Sequence, residues 1–578
     1  MRVLPCRLVN SCAGTRQLGW RTTLCSLLFV HWLLLSGLRE GANAQPATEL
    51  WTDQVLHQLL FQDPNQHIQL LGQVSDAEGS LVRTFMSPAH MRSAALIRKW
   101  MREAGMLTWM DNVGNVHGRV EGRNGSAPVL LLGSHYDTVV DAGKYDGALG
   151  ILVGIAAIKA AVLQAAAEQD HITKEQLAVA LEDGADLHNV IGDKLHGLLE
   201  NPVELIAFSD EEGLRFQTTF LGSRAVSGAL VKHGLLKSTD HNGMTVAEVL
   251  QMHGFDGSEQ AISQLAMDPA GVRGYVEVHL EQGPVLEAKG LPLAPVSAIA
   301  GQTRLSVSVL GSQGHAGTVP MSIRRDPVSA AAESIAMVER RCGGGRYAPD
   351  NATANAGFSE ANNLVCTVGS VTLWPGASNV IAGSTNFTID IRCRSDAVRQ
   401  QVVQDVVLDI ENICQRRGIA CRVEKKHEAA ATHCDAGIIA DLVSAARDSE
   451  QVYIRALRGA TGVSTEPHIP VSTCTWDTGQ AAGGPAMAIS RSPECQAAAD
   501  SNTMLEPHDI PVLVSGAGHD ALAIAELTKI GMLFVRCRGG FSHSALEHVS
   551  EQDVAAATAS LYVYLQRQLL QPMAQAAY

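Results

Sequence analysis

The sequence predicts an α/β protein of two domains, an open and mostly parallel sheet with a smaller α+β domain inserted into it. Three observations predict this. The runs 129–132 (VLLL) and 202–208 (PVELIAF) are apolar but for Glu204, as strands buried on both faces of a parallel sheet are. These runs, and the alternating stretch 275–279 (YVEVH), each lead into polar residues, and helix-forming sequence separates them. That is the order of an open sheet with a site along the carboxyl edge of its strands. Near Ile299 the pattern changes to alternating strands with two helices, and after about Glu424 the first pattern resumes.

Residues 1–44 read as a secretory signal peptide. Arg2, Arg7, Arg16 and Arg21 form a basic start, 22–38 is apolar, and Ala42-Asn43-Ala44 has the form of a cleavage site. The apolar run is marginal for a bilayer, so cleavage is expected, and no later stretch is expected to be long and apolar enough to span a membrane. The larger domain begins with 45–299. Leu56, Leu59 and Leu60, then Met91, Ala94, Ala95 and Trp100, fall at helical spacing between about 49 and 105. Residues 113–120 alternate as a strand. Residues 148–163 are apolar except for Lys159, as in a helix buried against a sheet. Residues 164–200 are more polar and are expected to be an insertion decorating the surface.

The inserted domain is expected at 300–423. Residues 304–310 (RLSVSVL) alternate strictly, and Asp326-Pro327 opens a helix to about Arg341. Strands follow at 364–373 and 385–392. In 396–417, Val398, Val402, Val406, Ile410 and Ile413 share one helical face and Gly418 supplies the stop. Residues 421–423 belong to a last short strand. The larger domain resumes over 424–578, with a helix at 438–448, a Gly-, Pro-, Ser- and Thr-rich surface insertion at 463–505, strands at 511–514 and 531–535, and a closing amphipathic helix.

Composition narrows the class. Of 578 residues, 46% are hydrophobic and 18% charged, which suits a packed protein rather than a disordered chain. A net charge of −15 argues against nonspecific nucleic-acid binding, which needs a basic surface. Of twelve cysteines, Cys6, Cys12 and Cys25 lie in the signal. The rest are odd in number and widely spaced, which is no disulfide framework, although individual bridges are open in an oxidising lumen. Sequons stand at Asn124, Asn351 and Asn386; Asn124 lies in a polar turn and suits a glycan better than Asn386, which sits in a strand.

The candidate chemistry sits at the strand ends. His135 and Asp137 lie two apart at the end of 129–135 and share one direction in extended chain, and Asp146 follows in a Gly-rich turn. Alone, these residues could bind a metal or could be cap and turn residues. Together with Glu211, Glu212, His279 and His543 they form a mixed imidazole and carboxylate set that suits Zn, Mn or other divalent ions. A two-metal site needs about five such ligands with one carboxylate bridging, and a free carboxylate beside it would serve as a general base.

The motifs GSHYDTVVDAGKYDG, FSDEEGLRFQTTFLGS, YVEVHLEQGPVLE, GQTRLSVSVLGSQGHAGTVPM, SNVIAG, SGAGHDA and GMLFVRCRGGFSHSALEHV run from Gly133 to Val549. In them the chain resembles the dinuclear-metal aminoacylase and carbamoylase family of amidohydrolases, and within it the allantoate-hydrolysing branch of plant type. The resemblance implies a catalytic larger domain and an inserted lid and dimerisation domain. His135, Asp146 and His279 would hold one metal and Asp146, Glu212 and His543 the other, with Mn2+ suggested by the allantoate-hydrolysing relatives. Asp137 would orient His135, and Glu211 would be the general base that later protonates the leaving nitrogen. His315 would reach the partner subunit's site in a homodimer and polarise the scissile carbonyl. Arg392 would clamp the substrate carboxylate, and Gln282, Asn379, Gly518 and His519 would read the ureido groups.

The implied reaction is hydrolysis of allantoate to ureidoglycine, ammonia and carbon dioxide in purine (ureide) catabolism and nitrogen recycling. An N-carbamoyl-L-amino-acid or ureidoglycolate amidohydrolase is the alternative within the class, and a non-catalytic binding protein on the same fold the alternative outside it. The chain departs from the family pattern at Tyr136, between the His and the Asp, where a smaller or aliphatic residue is usual. It also has Ala382 and Ala545 where Pro is usual. The signal implies entry to the endoplasmic reticulum; the end AQAAY is no KDEL-type tail, so retention in the lumen is implied by the resemblance alone.

Overall fold

The computed structural model describes residues 50–343, 359, 361–461 and 510–571. The expected signal at 1–44, the sequon at Asn351 and the insertion at 463–505 lie outside the described residues.

Six strands come first: β1 (Leu107–Met110), β2 (Val116–Val120), β3 (Val129–His135), β4 (Val203–Phe208), β5 (Val272–Leu280) and β6 (Leu293–Ile299). A second group follows: β7 (Gly301–Leu310), β8 (Gly314–His315), β9 (Val365–Thr367), β10 (Val371–Trp374), β11 (Val380–Ile381), β12 (Ser384–Cys393) and β13 (Ala420–Ala429). The chain then supplies β14 (Thr432–His433), β15 (Leu513–Ser515) and β16 (Ile530–Val535). The large sheet has the order β1-β2-β4-β3-β5-β16-β6-β14, with β15 beside β6. Its centre, β4-β3-β5-β16, is parallel. The neighbours β2 and β6 run antiparallel to it. The central strands β3, β4 and β16 are buried at every residue, which is why they read as largely apolar runs, with Glu204 in β4 and Ser134 and His135 at the end of β3 as the polar exceptions.

The register brings the carboxyl ends together. His135 lies beside Phe208, so the loop after β4 starts next to it, and Phe534 of β16 lies beside His279 of β5. The helix Ala148–Glu168 packs on β3 and β5. Its approach is close enough that a Cβ at Gly150 would stand 2.1 Å from the Val278 carbonyl, so only glycine fits there. This helix is long and apolar enough to cross a membrane by length and composition, contrary to the expectation that no later stretch would be. Its apolarity has another cause: it is buried nearly all round, between the sheet and the helix Glu551–Leu569.

The second sheet has the order β10-β12-β7-β13 with β9 beside β12; β8 and β11 form a separate two-stranded ribbon. The helices Pro327–Arg341 and Asp396–Arg417 cover one face, joining Leu305, Val307, Val309, Phe387, Ile389 and Ile391 to Val402, Val406, Ile410 and Ile413 in one core. Asp326 caps the first helix and Gly418, at φ 62°, ends the second. Two disulfides lie here, Cys342–Cys366 and Cys414–Cys421, while Cys393, Cys434 and Cys537 are free and buried.

Several expectations need correction. The stretch 164–200 does more than decorate the surface: Leu177, Leu187, Ile191, Leu195, Leu198 and Leu199 belong to the main core. Ala95 faces solvent, and Ser93 and Ile97 take the inner face of the Pro88–Glu103 helix. The strand expected at 364–373 is two strands, β9 and β10. The last strand, β13, is ten residues long and runs past position 423 to Ala429. Among the described residues it pairs only with β7, and a bulge at Lys425–His427 breaks its alternation. Its charged residues suit an edge, and they hide a strand from an apolar pattern.

Candidate metal centre

The carboxyl ends of β3 and β5 and the loops after β4 and β16 converge on Asp146. Its Oδ1 lies 3.5 Å from His135 Nε2 and 3.1 Å from His279 Nε2. Its Oδ2 lies 3.4 Å from His543 Nε2, which is also 3.4 Å from Glu212 Oε1. The ligand atoms of His135, Asp146 and His279 fall within 4.8 Å of one another, and so do those of Asp146, Glu212 and His543. The five expected ligands thus come together as two sets that share Asp146.

The residues fit divalent ions. His135 Nδ1 faces the Asp137 carbonyl at 3.2 Å, and His279 Nδ1 faces the Leu280 carbonyl at 2.9 Å. A carbonyl only accepts, so each Nδ1 carries the proton, and in a neutral ring Nε2 presents a lone pair. Two such lone pairs would point at Asp146 Oδ1, a buried oxygen with no hydrogen-bond partner. Acceptors facing acceptors in a buried site call for a cation between them.

Without a cation, protons on the imidazoles would take its place against Asp146. Burial pushes the Asp146 carboxyl up, but His135 and His279 outweigh it and hold it well below the usual range. Burial pulls the His135 imidazole down, yet hydrogen bonds to Asp137 and Asp146 carry it well above its ordinary value. Burial raises Glu211 well above the carboxylate range, with Glu212, Asp520 and Asp137 adding to it against His135. Glu212 is pushed up to about 8, by burial first. Glu211 and Glu212 resist ionising among the protein's own charges, and cations would relieve them.

Asp137 sits behind the ligands. Its Oδ1 is 3.3 Å from His135 Nδ1 and accepts from the Glu211 amide at 3.0 Å, and its Oδ2 accepts from the Glu212 amide at 3.2 Å. Gln282 donates to Asp146 Oδ2 and to Ser542 Oγ, both at 3.0 Å. Gln282 and His543 adopt φ of 56° and 54°, sparsely populated conformations that cluster at functional sites. His519 is buried, bonds Ser515 Oγ at 2.7 Å and meets the His279 ring edge-on at 4.4 Å. Gly518 precedes it, and a Cβ there would stand 2.8 Å from the Phe220 ring.

The remaining expected residues lie apart from the ligands. His315, on β8, and Asn379 are exposed. They neighbour one another, since β8 pairs with β11 and the Ala316 amide donates to the Asn379 carbonyl at 2.9 Å. Arg392 holds Asp390 through two bonds, at 2.9 and 3.1 Å, and reaches the Gly516 carbonyl at 2.6 Å.

Three residues at the site escaped sequence reasoning or were placed differently by it. Ser542 donates to Asp146 Oδ2 at 2.6 Å, and a serine before a histidine carries no signal of that. Glu547 looks from sequence like support for the His543 loop, but its Oε1 accepts from the amides of Tyr145 and Asp146 at 2.9 and 3.0 Å. Glu277 is buried two residues before His279 and could join His279 and His519 in a further ligand group.

A profile of peptidase family M20/M25/M40 matches residues 191–567. The chain belongs to that family. This M20 chain is 44% identical over 518 residues to allantoate deiminase of Arabidopsis thaliana, covering 89% of this chain and 84% of that protein. It is 31% identical over 497 residues to N-carbamoyl-L-amino-acid amidohydrolase of Pseudomonas sp. (strain NS671), covering 86% and 95%. Its fold matches a hydantoinase/carbamoylase family amidase from Burkholderia multivorans with a TM-score of 0.63 at 24% identity, over 89% of this chain and all of that one. The larger sheet and the second sheet are therefore those of the M20 fold, and the strand-edge residues are its candidate metal-binding groups.

Proposed function

We infer that the chain hydrolyses allantoate to ureidoglycine, ammonia and carbon dioxide in purine catabolism. The observation that carries this reading is the pair of ligand sets meeting at Asp146, with Glu211 beside them, in a chain similar along most of its length to the Arabidopsis allantoate deiminase. Two divalent ions, Mn2+ in this reading, would lower the pKa of water and polarise a ureido oxygen when bound. His135, Asp146 and His279 would hold one, and Asp146, Glu212 and His543 the other.

The chain's own residues do the rest. Glu211 is buried and its carboxyl is raised, so once ionised beside the bound cations its carboxylate is basic enough to take a proton from the attacking water and return it to the leaving nitrogen. Asp137 fixes the distance between Glu211, Glu212 and His135 by bonding all three. Arg392 offers a planar fork that can exchange Asp390 for the substrate carboxylate. Gln282, Asn379, Gly518 and His519 supply donors and acceptors for the ureido groups. His315 polarises the scissile carbonyl from a second copy of the chain. The exposed positions of His315 and Asn379 support that homodimer, and so do the exposed apolar residues Met321, Ile323 and Trp374 near them. Residues 1–44 and the two disulfides favour the endoplasmic reticulum lumen.

The test is ammonia release by the purified, Mn-loaded protein from allantoate, ureidoglycolate and N-carbamoyl-L-amino acids. Allantoate is expected to be turned over with the highest kcat/KM. Preference for an N-carbamoyl amino acid would move the chain towards the function named for the Pseudomonas relative, and inactivity on all three would favour a binding protein.

A further inference from the structure

The loop 209–222 carries Asp210, Glu211 and Glu212 and closes on itself. The Leu221 amide donates to the Asp210 carbonyl at 2.8 Å and the Phe220 amide to the Glu211 carbonyl at 3.1 Å. Its base is gripped from two sides at Ser209. Asn115 Oδ1 accepts from the Ser209 amide at 3.1 Å, and His90 Nε2 donates to the Ser209 carbonyl at 2.6 Å. Both gripping side chains are wholly buried.

Asn115 also ties the two ends of the loop together. Its Nδ2 donates to the Gly222 carbonyl at 3.0 Å and to Asp111 Oδ2 at 2.8 Å. A Cβ at Gly222 would stand 2.3 Å from Asn115 Oδ1, so the glycine is what lets the amide in. Tyr136, the residue that departs from the family pattern, joins the two grips. Its ring stacks on His90 at 4.2 Å and 23°, and its hydroxyl donates to the carbonyl of Gly114, next to Asn115, at 2.7 Å. Its own backbone is fixed, the amide to the Phe208 carbonyl at 3.0 Å and the carbonyl to Arg83 Nε at 2.5 Å.

We propose that His90, Asn115 and Tyr136 are positioning residues: they hold the base of the 209–222 loop and so set where Glu211 stands for proton transfer. The inference rests on the reading of Glu211 as the proton-transferring group. Tyr136 lies between His135 and Asp137, so the same residue that spaces the ligand from its carboxylate partner also braces the loop bearing Glu211. A displacement of about 1 Å in a reacting group costs up to about a hundredfold in rate, so such bracing has a kinetic effect without touching substrate.

The experiment has two arms, on His90→Ala and on the gentler Tyr136→Phe, which keeps the ring and loses the hydroxyl. In the first, hydrogen exchange is followed in the metal-free protein. Exchange is expected to quicken across 209–222 and to stay unchanged in the helix Glu551–Leu569. In the second, kcat and KM are measured alone and in a Glu211→Gln background, with metal content by elemental analysis. His90→Ala is expected to lower kcat about tenfold and Tyr136→Phe about threefold, with KM and metal content held, and both losses should shrink below about twofold once Glu211 is gone. Unchanged exchange in the loop, or an equal loss of kcat in both backgrounds, overturns the proposal. If the wild-type protein turns over no ureido substrate, the functional reading fails and the exchange arm decides the bracing by itself.

Discussion

Asp146 belongs to both ligand sets, and Glu211, whose carboxylate also lies within 4.8 Å of His135 and Glu212 ligand atoms, is the nearby acid that neither of those sets requires. The two carboxyls are displaced in opposite directions, Asp146 down beside two imidazoles and Glu211 up through burial. That split is how a site assigns one acid to binding and another to proton transfer. Glu211→Gln keeps the shape and removes the base, so kcat should fall by about two to four orders of magnitude while metal content stays at the wild-type level. Ammonia release and elemental analysis on the same sample check it; metal lost in step with activity would make Glu211 a ligand instead. His135, Asp146, Glu212, His279 and His543 were legible in the sequence because each lies in a long motif at or just beyond a strand end. Ser542, Glu547, His90 and Asn115 were not, because they act through single hydrogen bonds between distant positions. His90 and Ser209 stand 119 residues apart, and Tyr145 and Glu547 402 apart.

The strands β2 and β4 carry a charge arrangement of their own beneath the loop base. His117 on β2 lies 2.8 Å from Glu204 of β4 and 3.3 Å from Asp111, and Trp109 of β1 stacks over it at 4.8 Å. Burial opposes its charge, but the hydrogen bonds and charges of Asp111 and Glu204 raise it to about 9. The folded value exceeds the unfolded one of about 6.5, so the stabilisation is complete below about 6.5 and is lost as pH rises through about 9. Denaturant midpoints should therefore fall between pH 7 and 9. His117→Gln should start lower at pH 7 and vary less over that window, whereas a parallel decline in both proteins would remove His117 as the cause. At this scale the buried elements were readable and the edges were not. β3 and β4 announce themselves as apolar runs, and the Asp396–Arg417 helix by its single face and closing glycine. β1 and most of β13, paired on one side only among the described residues and partly exposed, carry too little apolar pattern, so β1 was missed and only 421–423 of β13 was read.

At the scale of the molecule, the sheets divide the work: one edge of the largest gathers the ligands, the second carries Arg392, and the β8–β11 ribbon carries His315, with Asn379 just before β11. His315 and Asn379 present themselves to solvent beside Met321, Ile323 and Trp374, which are 78%, 68% and 64% exposed. Exposed apolar residues of that kind, close in the chain to polar groups of the proposed site, are what a second copy of the chain would cover. If that copy brings His315 to the site, each site is built from Glu211 of one chain and His315 of the other. Glu211→Gln and His315→Ala homodimers should then both be nearly inactive. A mixed dimer has one site with both defects and one with neither. Unfolding and refolding the two variants together at equal concentration should return about a quarter of wild-type activity, since about half the dimers are mixed and each holds one intact site. The check is ammonia release after mixing, with the dimer isolated by size-exclusion chromatography and its composition read by native mass spectrometry. Mixed dimers without recovered activity would place His315 in the site of its own chain or outside the reaction altogether.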